Sequence, residues 1–107
     1  MRALVLCLSL FSFSAHADFR DGNKLLADLN DGGVIFPAVG LGYVIGVADA
    51  LNGVTHCMPA GVTAGQLRDM VRNFLTNTPA IRHLPAADAV TYVLRQTWAC
   101  PRSGRGT

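Results

Sequence analysis

The arrangement most able to do chemistry in this 107-residue chain is a histidine beside a cysteine, His56-Cys57. It stands just ahead of a helix-like segment, in His56-Cys57-Met58-Pro59-Ala60-Gly61-Val62-Thr63-Ala64-Gly65-Gln66-Leu67-Arg68. A helix N-terminus lowers a thiol's pKa and an imidazole can hold a thiolate, so the pair could be a hydrolase nucleophile. The competing reading makes Cys57 half of a structural bridge. A cysteine hydrolase draws its histidine from a distant part of the chain and orients it with a third group, whereas adjacent residues on a turn point in different directions. A metal site built from His56, His83 and an aspartate is disfavoured to the same degree. Gly61-Val62-Thr63-Ala64-Gly65 is no phosphate loop, because no Gly-Lys-Ser/Thr follows it. All seven acids are aspartates, and no two are placed to act as a glycosidase pair. The expectation is a protein without catalytic residues, metal or cofactor.

The compartment bears on the cysteine. Met1 to Ala17 reads as a secretory signal: Arg2, an apolar run from Ala3 to Phe13, then Ala15-His16-Ala17 as an A-x-A cleavage site. The run is too short to span a bilayer. Cleavage makes Asp18 the mature N-terminus and removes Cys7, so no membrane contact is expected after processing. The roughly 90 residues that remain form one small domain. Net charge is +2 at pH 7 for the whole chain, with no basic patch, so nucleic acid is not an expected partner. Two cysteines are left, Cys57 and Cys100, and an even count in an exported chain favours a disulfide.

Four helices are expected to position these residues. Asp21 suits the N-cap of a short first helix carrying Leu25, Leu26 and Leu29 and stopped by Asn30-Asp31-Gly32-Gly33. The second starts near Pro37 and runs to Leu51. It is apolar on nearly every face, which predicts the central, most buried helix, with Gly42 and Gly46 closely packed by a neighbour. A strand over Gly42-Tyr43-Val44-Ile45-Gly46-Val47 is the competing reading, but the apolar run is longer than most strands. The third opens with Thr63 and Gln66 in a capping-box pattern and carries Leu67, Met70, Val71, Phe74 and Leu75 on one face, with Arg68, Asp69, Arg72 and Asn73 on the other. The fourth begins at Pro85, carries Ala86, Ala89, Val90, Val93, Leu94 and Ala99, and ends at Cys100-Pro101. Residues 101–107 form a polar tail. The link from Thr76 to Leu84 is short enough for an antiparallel hairpin, which brings Cys57 and Cys100 to the same end. Such a bridge would contribute about 4 kcal/mol on a chain-entropy estimate.

The segments Asp21-Gly22-Asn23-Lys24-Leu25-Leu26, Gly42-Tyr43-Val44-Ile45-Gly46-Val47, Cys57-Met58-Pro59-Ala60-Gly61-Val62-Thr63, His83-Leu84-Pro85-Ala86 and the terminal Trp98-Ala99-Cys100 together resemble the Rap/Tai family. The resemblance covers about Asp21 to Cys100. It implies a small, periplasmic, all-helical protein, often a homodimer, that binds a type VI secretion peptidoglycan amidase effector and blocks its cleft. Members commonly carry a second cysteine pair. Those places hold Leu29 and Gly40 here, which implies a looser first helix.

The fold expected is therefore all-α, a small bundle of about four helices with one disulfide, spanning residues 18–100. For the partner contact the candidates are His56, Met58, Arg68, Asp69 and Arg72, taken as exposed residues near the bridged end and on the third helix, with Arg82 and His83 secondary. For Arg68 and Arg72 a solvated face is the plainer reading, with Arg72 paired to Asp69 at i, i+3. Two other functions compete with the amidase inhibitor: a small helical acid-stress chaperone of the periplasm, and an envelope binding module of the same fold. Few carboxylates and few lysines make this chain poor material for an acid switch.

Overall fold

The computed structural model describes residues 19–102. The signal segment, Cys7, Asp18 and the end of the tail lie outside the described residues. Helix α1 spans Gly22–Asn30, α2 Ile35–Leu51, α3 Ala64–Asn77 and α4 Ala86–Thr97, with a 3-10 turn at Pro79–Ile81 between α3 and α4. The all-α, four-helix reading holds.

The caps explain most of the boundaries. The Asp21 carboxylate accepts from the Lys24 backbone N–H at 2.7 Å, so α1 starts where expected. Thr63 Oγ1 accepts from the Gln66 N–H at 3.1 Å, while Gln66 Oε1 accepts from the Thr63 N–H at 2.8 Å. Two otherwise orphaned donors are thus satisfied reciprocally. Helix α2 starts two residues earlier than Pro37 suggested. A first-turn N–H has no intrahelical acceptor, so proline is tolerated there as well as at the first position. Helix α4 stops at Thr97, short of Cys100, because Trp98 leaves helical geometry and offers its carbonyl to the Cys57 N–H at 2.8 Å. Ala99 is accordingly exposed and outside the helix.

Every helix feeds one core: Leu25 and Leu29 from α1, Val44 and Ala48 from α2, Leu67, Val71 and Leu75 from α3, and Ala86, Ala89, Val90 and Leu94 from α4. The expectation that α2 is the most buried helix is wrong. It buries only Gly40, Val44 and Ala48, a single line at i, i+4, i+8. Three short neighbours can cover only one side of a 17-residue helix, and its composition leaves the other side apolar in solvent. Gly42 and Gly46 are not the packed glycines either: a Cβ at either would meet nothing within 4 Å. The packed one is Gly40, where a Cβ would lie 3.0 Å from Leu29 Cδ2 and 3.2 Å from Asp28 Cβ.

Positions 29 and 40, where relatives are expected to hold a cysteine pair, thus face each other, with a leucine filling the space over a glycine. Helix α1 is also fastened in other ways. Gly22 and Asn23 donate to the Leu84 and Arg82 carbonyls at 3.0 and 2.8 Å. The buried Asp28 carboxylate takes Arg20 Nε at 2.7 Å and Lys24 Nζ at 2.9 Å. Burial alone would raise the Asp28 pKa, but the hydrogen bonds from Lys24 and Arg20, with their charges, outweigh it and hold the carboxyl below its ordinary value.

Candidate partner-binding site

Cys57 and Cys100 are bridged, with their Cα atoms 4.8 Å apart and a sequence separation of 43. The bridge joins the loop ahead of α3 to the segment after α4, at the end of the hairpin where both were expected. A sulfur held in a disulfide is no nucleophile, and the histidine beside it is engaged elsewhere. His56 is 0 % exposed. Its Nε2 lies 2.9 Å from the Ala48 carbonyl and its Nδ1 3.0 Å from Thr55 Oγ1. A carbonyl can only accept, so Nε2 donates to it, while Nδ1 pairs with the Thr55 hydroxyl. The Ala48 carbonyl is among the last four of α2, which lack intrahelical donors. His56 therefore satisfies the end of α2 from the next loop. The expectation that His56 faces outward is corrected here: it is a buried brace, and its side chain is not available to a partner.

Met58, in contrast, is half-buried on the rim. Its N–H is held by the Asn52 side-chain carbonyl at 2.9 Å. It lines a shallow groove with Ile45, Asp49, Asn52, Val62 and Leu67, about 450 Å³ in volume. The groove runs from the end of α2 over the loop to the first turn of α3. Gly61 adopts φ +90°, a left-handed conformation that glycine reaches without strain, and so lets the loop turn back toward Thr63.

Arg68 and Asp69 continue this surface along α3. Arg68 Nε donates to Asp69 Oδ1 at 2.9 Å, which lowers the Asp69 pKa. The Arg68 guanidinium leans back over Gly65, toward the bridged end. Arg72 lies 3.6 Å from the same Asp69 oxygen, the i, i+3 pair that the plainer reading anticipated. It also donates to the Leu29 carbonyl at 3.3 Å, so it ties α3 to the end of α1. Arg82 and His83 sit at the opposite end of the α3–α4 hairpin. Arg82 is partly buried against α1 and His83 is exposed. The structure thus groups Met58, Arg68 and Asp69 near the bridge, gives Arg72 a bracing position, and places Arg82 and His83 apart. Sequence reasoning missed Asn52 and Asp49. Their signal was the Asn52-Gly53 helix stop, which set them at the groove.

Among the described residues no three His, Cys, Asp or Glu side chains group as metal ligands, and no helix is long and apolar enough to cross a membrane. A small disulfide-braced helical domain with a shallow polar-apolar surface fits a protein that binds another protein. The family model described as Rap1a immunity proteins matches residues 22–100, and the chain belongs to that family. Membership carries a role in immunity to a secreted effector, a role exercised by binding. No curated protein matches the chain.

Proposed function

We propose that this is a periplasmic immunity protein that binds a type VI secretion peptidoglycan amidase and occludes its active-site cleft, acting as a homodimer. The observation that carries the reading is the family match over residues 22–100. Two further features support it. A disulfide is retained in oxidising compartments such as the periplasm, in keeping with a cleavable leader. The groove at the bridged end is preformed, because the bridge, the His56 brace and the Asn52–Met58 hydrogen bond hold its loop before any partner arrives. Preorganisation of this kind lowers the ordering cost of binding. The inhibitory surface comprises Met58, Arg68 and Asp69, with Asn52 and Asp49 at the groove.

The test uses the purified protein and a secreted amidase encoded beside its gene. Titration should abolish peptidoglycan cleavage. Arg68→Glu should weaken inhibition by about tenfold or more, the range for loss of an interface arginine. Arg72 is a poorer probe, since its replacement also loosens α1. Unaltered inhibition by Arg68→Glu and Met58→Glu would move the contact elsewhere. Absence of any effect on an amidase would remove that effector class.

A further inference from the structure

At the turn end of the α3–α4 hairpin, remote from the bridge, the surface opens into a cavity of about 430 Å³. Phe74 comes from the last turn of α3, Ile81 and Leu84 from the connecting turn, and Asp88, Ala89 and Tyr92 from the first two turns of α4. The volume falls within the range of small-molecule sites, about 300–1,000 Å³. Its apolar wall is left open to water: Leu84 is 41 % and Tyr92 48 % exposed. The Phe74 and Tyr92 rings pair across it, with centroids 5.4 Å apart and planes inclined by 32°. Among the described residues that line the cavity, Asp88 alone is charged. Its carboxylate forms no ion pair with a described residue, and the neighbouring Arg82 and His83 do not line the wall. Asp88 also stands in the first turn of α4, where the helix N-terminus favours a carboxylate in its charged form.

We propose that this cavity binds a small organic cation with an apolar body, its ammonium group beside Asp88 and the aromatic pair and its hydrocarbon over Ile81, Leu84 and Ala89. Each half of the ligand answers a different part of the wall. A hydrocarbon body takes the open apolar side chains out of water. A positive charge is attracted to the face of an aromatic ring, and it gives the unpaired carboxylate a counter-charge. A neutral ligand would cover that carboxylate without pairing it, and an anion would be repelled by it. Size sets the scale of the ligand. A cavity of roughly 150 Å³ holds a benzene, so this one has room for a phenyl ring with a short alkylammonium chain. The site is independent of the immunity reading, because it lies at the other end of the hairpin from the groove at Met58 and Arg68.

Nuclear magnetic resonance titration of the purified, isotope-labelled protein with phenylbutylamine, phenylbutanol and phenylbutyrate tests this. The probes share one body and differ in charge. The amine should move the Leu84, Ala89 and Tyr92 signals with a dissociation constant in the millimolar range or below, the scale for a ligand of this size. The alcohol should bind about threefold to tenfold more weakly, and the butyrate more weakly still. Asp88→Asn, at an exposed position, should keep the far-ultraviolet circular dichroism of the parent. It should bring the amine down to the affinity of the alcohol and leave the alcohol unchanged. Tyr92→Leu keeps an apolar wall but removes a ring, so the preference for the amine should narrow by about threefold. An amine that shifts none of these signals at about 20 mM, or shifts only residues elsewhere, overturns the site. Equal affinity for the three probes, preference for the butyrate, or an undiminished amine preference in Asp88→Asn overturns the cationic assignment. Leu84, Ala89 and Tyr92 signals that move with protein concentration alone place a second copy in the cavity and overturn the small-molecule ligand.

Discussion

His56 shows how one buried ring can serve two elements. It closes the end of α2 through the Ala48 carbonyl and anchors the loop that carries Met58. His56→Ala removes a hydrogen bond and leaves both a cavity and an unpaired buried carbonyl. Loss of about 2–4 kcal/mol in urea unfolding is expected, well above the effect typical of surface changes. Asp28 is the other residue with a large structural task. Its pKa is depressed in the folded state from an ordinary 3.8, so its contribution is present above that value and is lost as pH falls through the folded pKa. Thermal melts of the parent and Asp28→Asn should therefore differ by a constant amount at neutral and mildly acid pH, and converge only at strongly acid pH. A gap that already closes near pH 6 would contradict this origin.

At the scale of elements, α1 and α2 meet through Leu29 and Gly40. The facing of these positions makes a cross-link feasible, since bridged Cβ atoms lie about 3.5–4.5 Å apart. Leu29→Cys combined with Gly40→Cys should form a second disulfide and raise stability by about 2–3 kcal/mol, read as the urea midpoint with and without reductant. The second cysteine pair that the resemblance implies is missing here, and with it comes the expectation of a looser first helix. The structure instead fastens α1 by the Asp21 cap, the Asp28 ion pairs and the hydrogen bonds to the Arg82 and Leu84 carbonyls. Gly22 belongs to that fastening: a Cβ there would lie 3.0 Å from the Arg82 backbone, which cannot move aside as a side chain can. The helix starts were legible because caps are local: Asp21 with Lys24, and Thr63 with Gln66, lie within one turn. The exposure of α2 was not legible, since an apolar stretch reads alike whether its neighbours cover one side or all of it.

At the scale of the whole molecule, stability leans on one covalent link. The Cys57–Cys100 bridge closes most of the second half of the chain. Its reduction should lower unfolding free energy by about 4 kcal/mol, a large part of what a domain of this size possesses. Comparing urea midpoints of the oxidised and the reduced, alkylated protein measures this. A change under about 1 kcal/mol would mean that the helices hold without the staple. The groove at the bridged end is polar-apolar and suits an effector, and the outer face of α2 adjoins it through Asp49.

The division between chain and fold follows from the range of the forces. Caps, helix periods and the cysteine count are local or compositional, so the four helices, the bridge between Cys57 and Cys100 and the family resemblance could all be read along the chain. Which side chains face solvent depends on neighbours distant in sequence. Only tertiary contacts turned His56 from a surface candidate into a buried brace, made Arg72 a tie between α3 and α1, and left Gly42 and Gly46 open while Gly40 was packed.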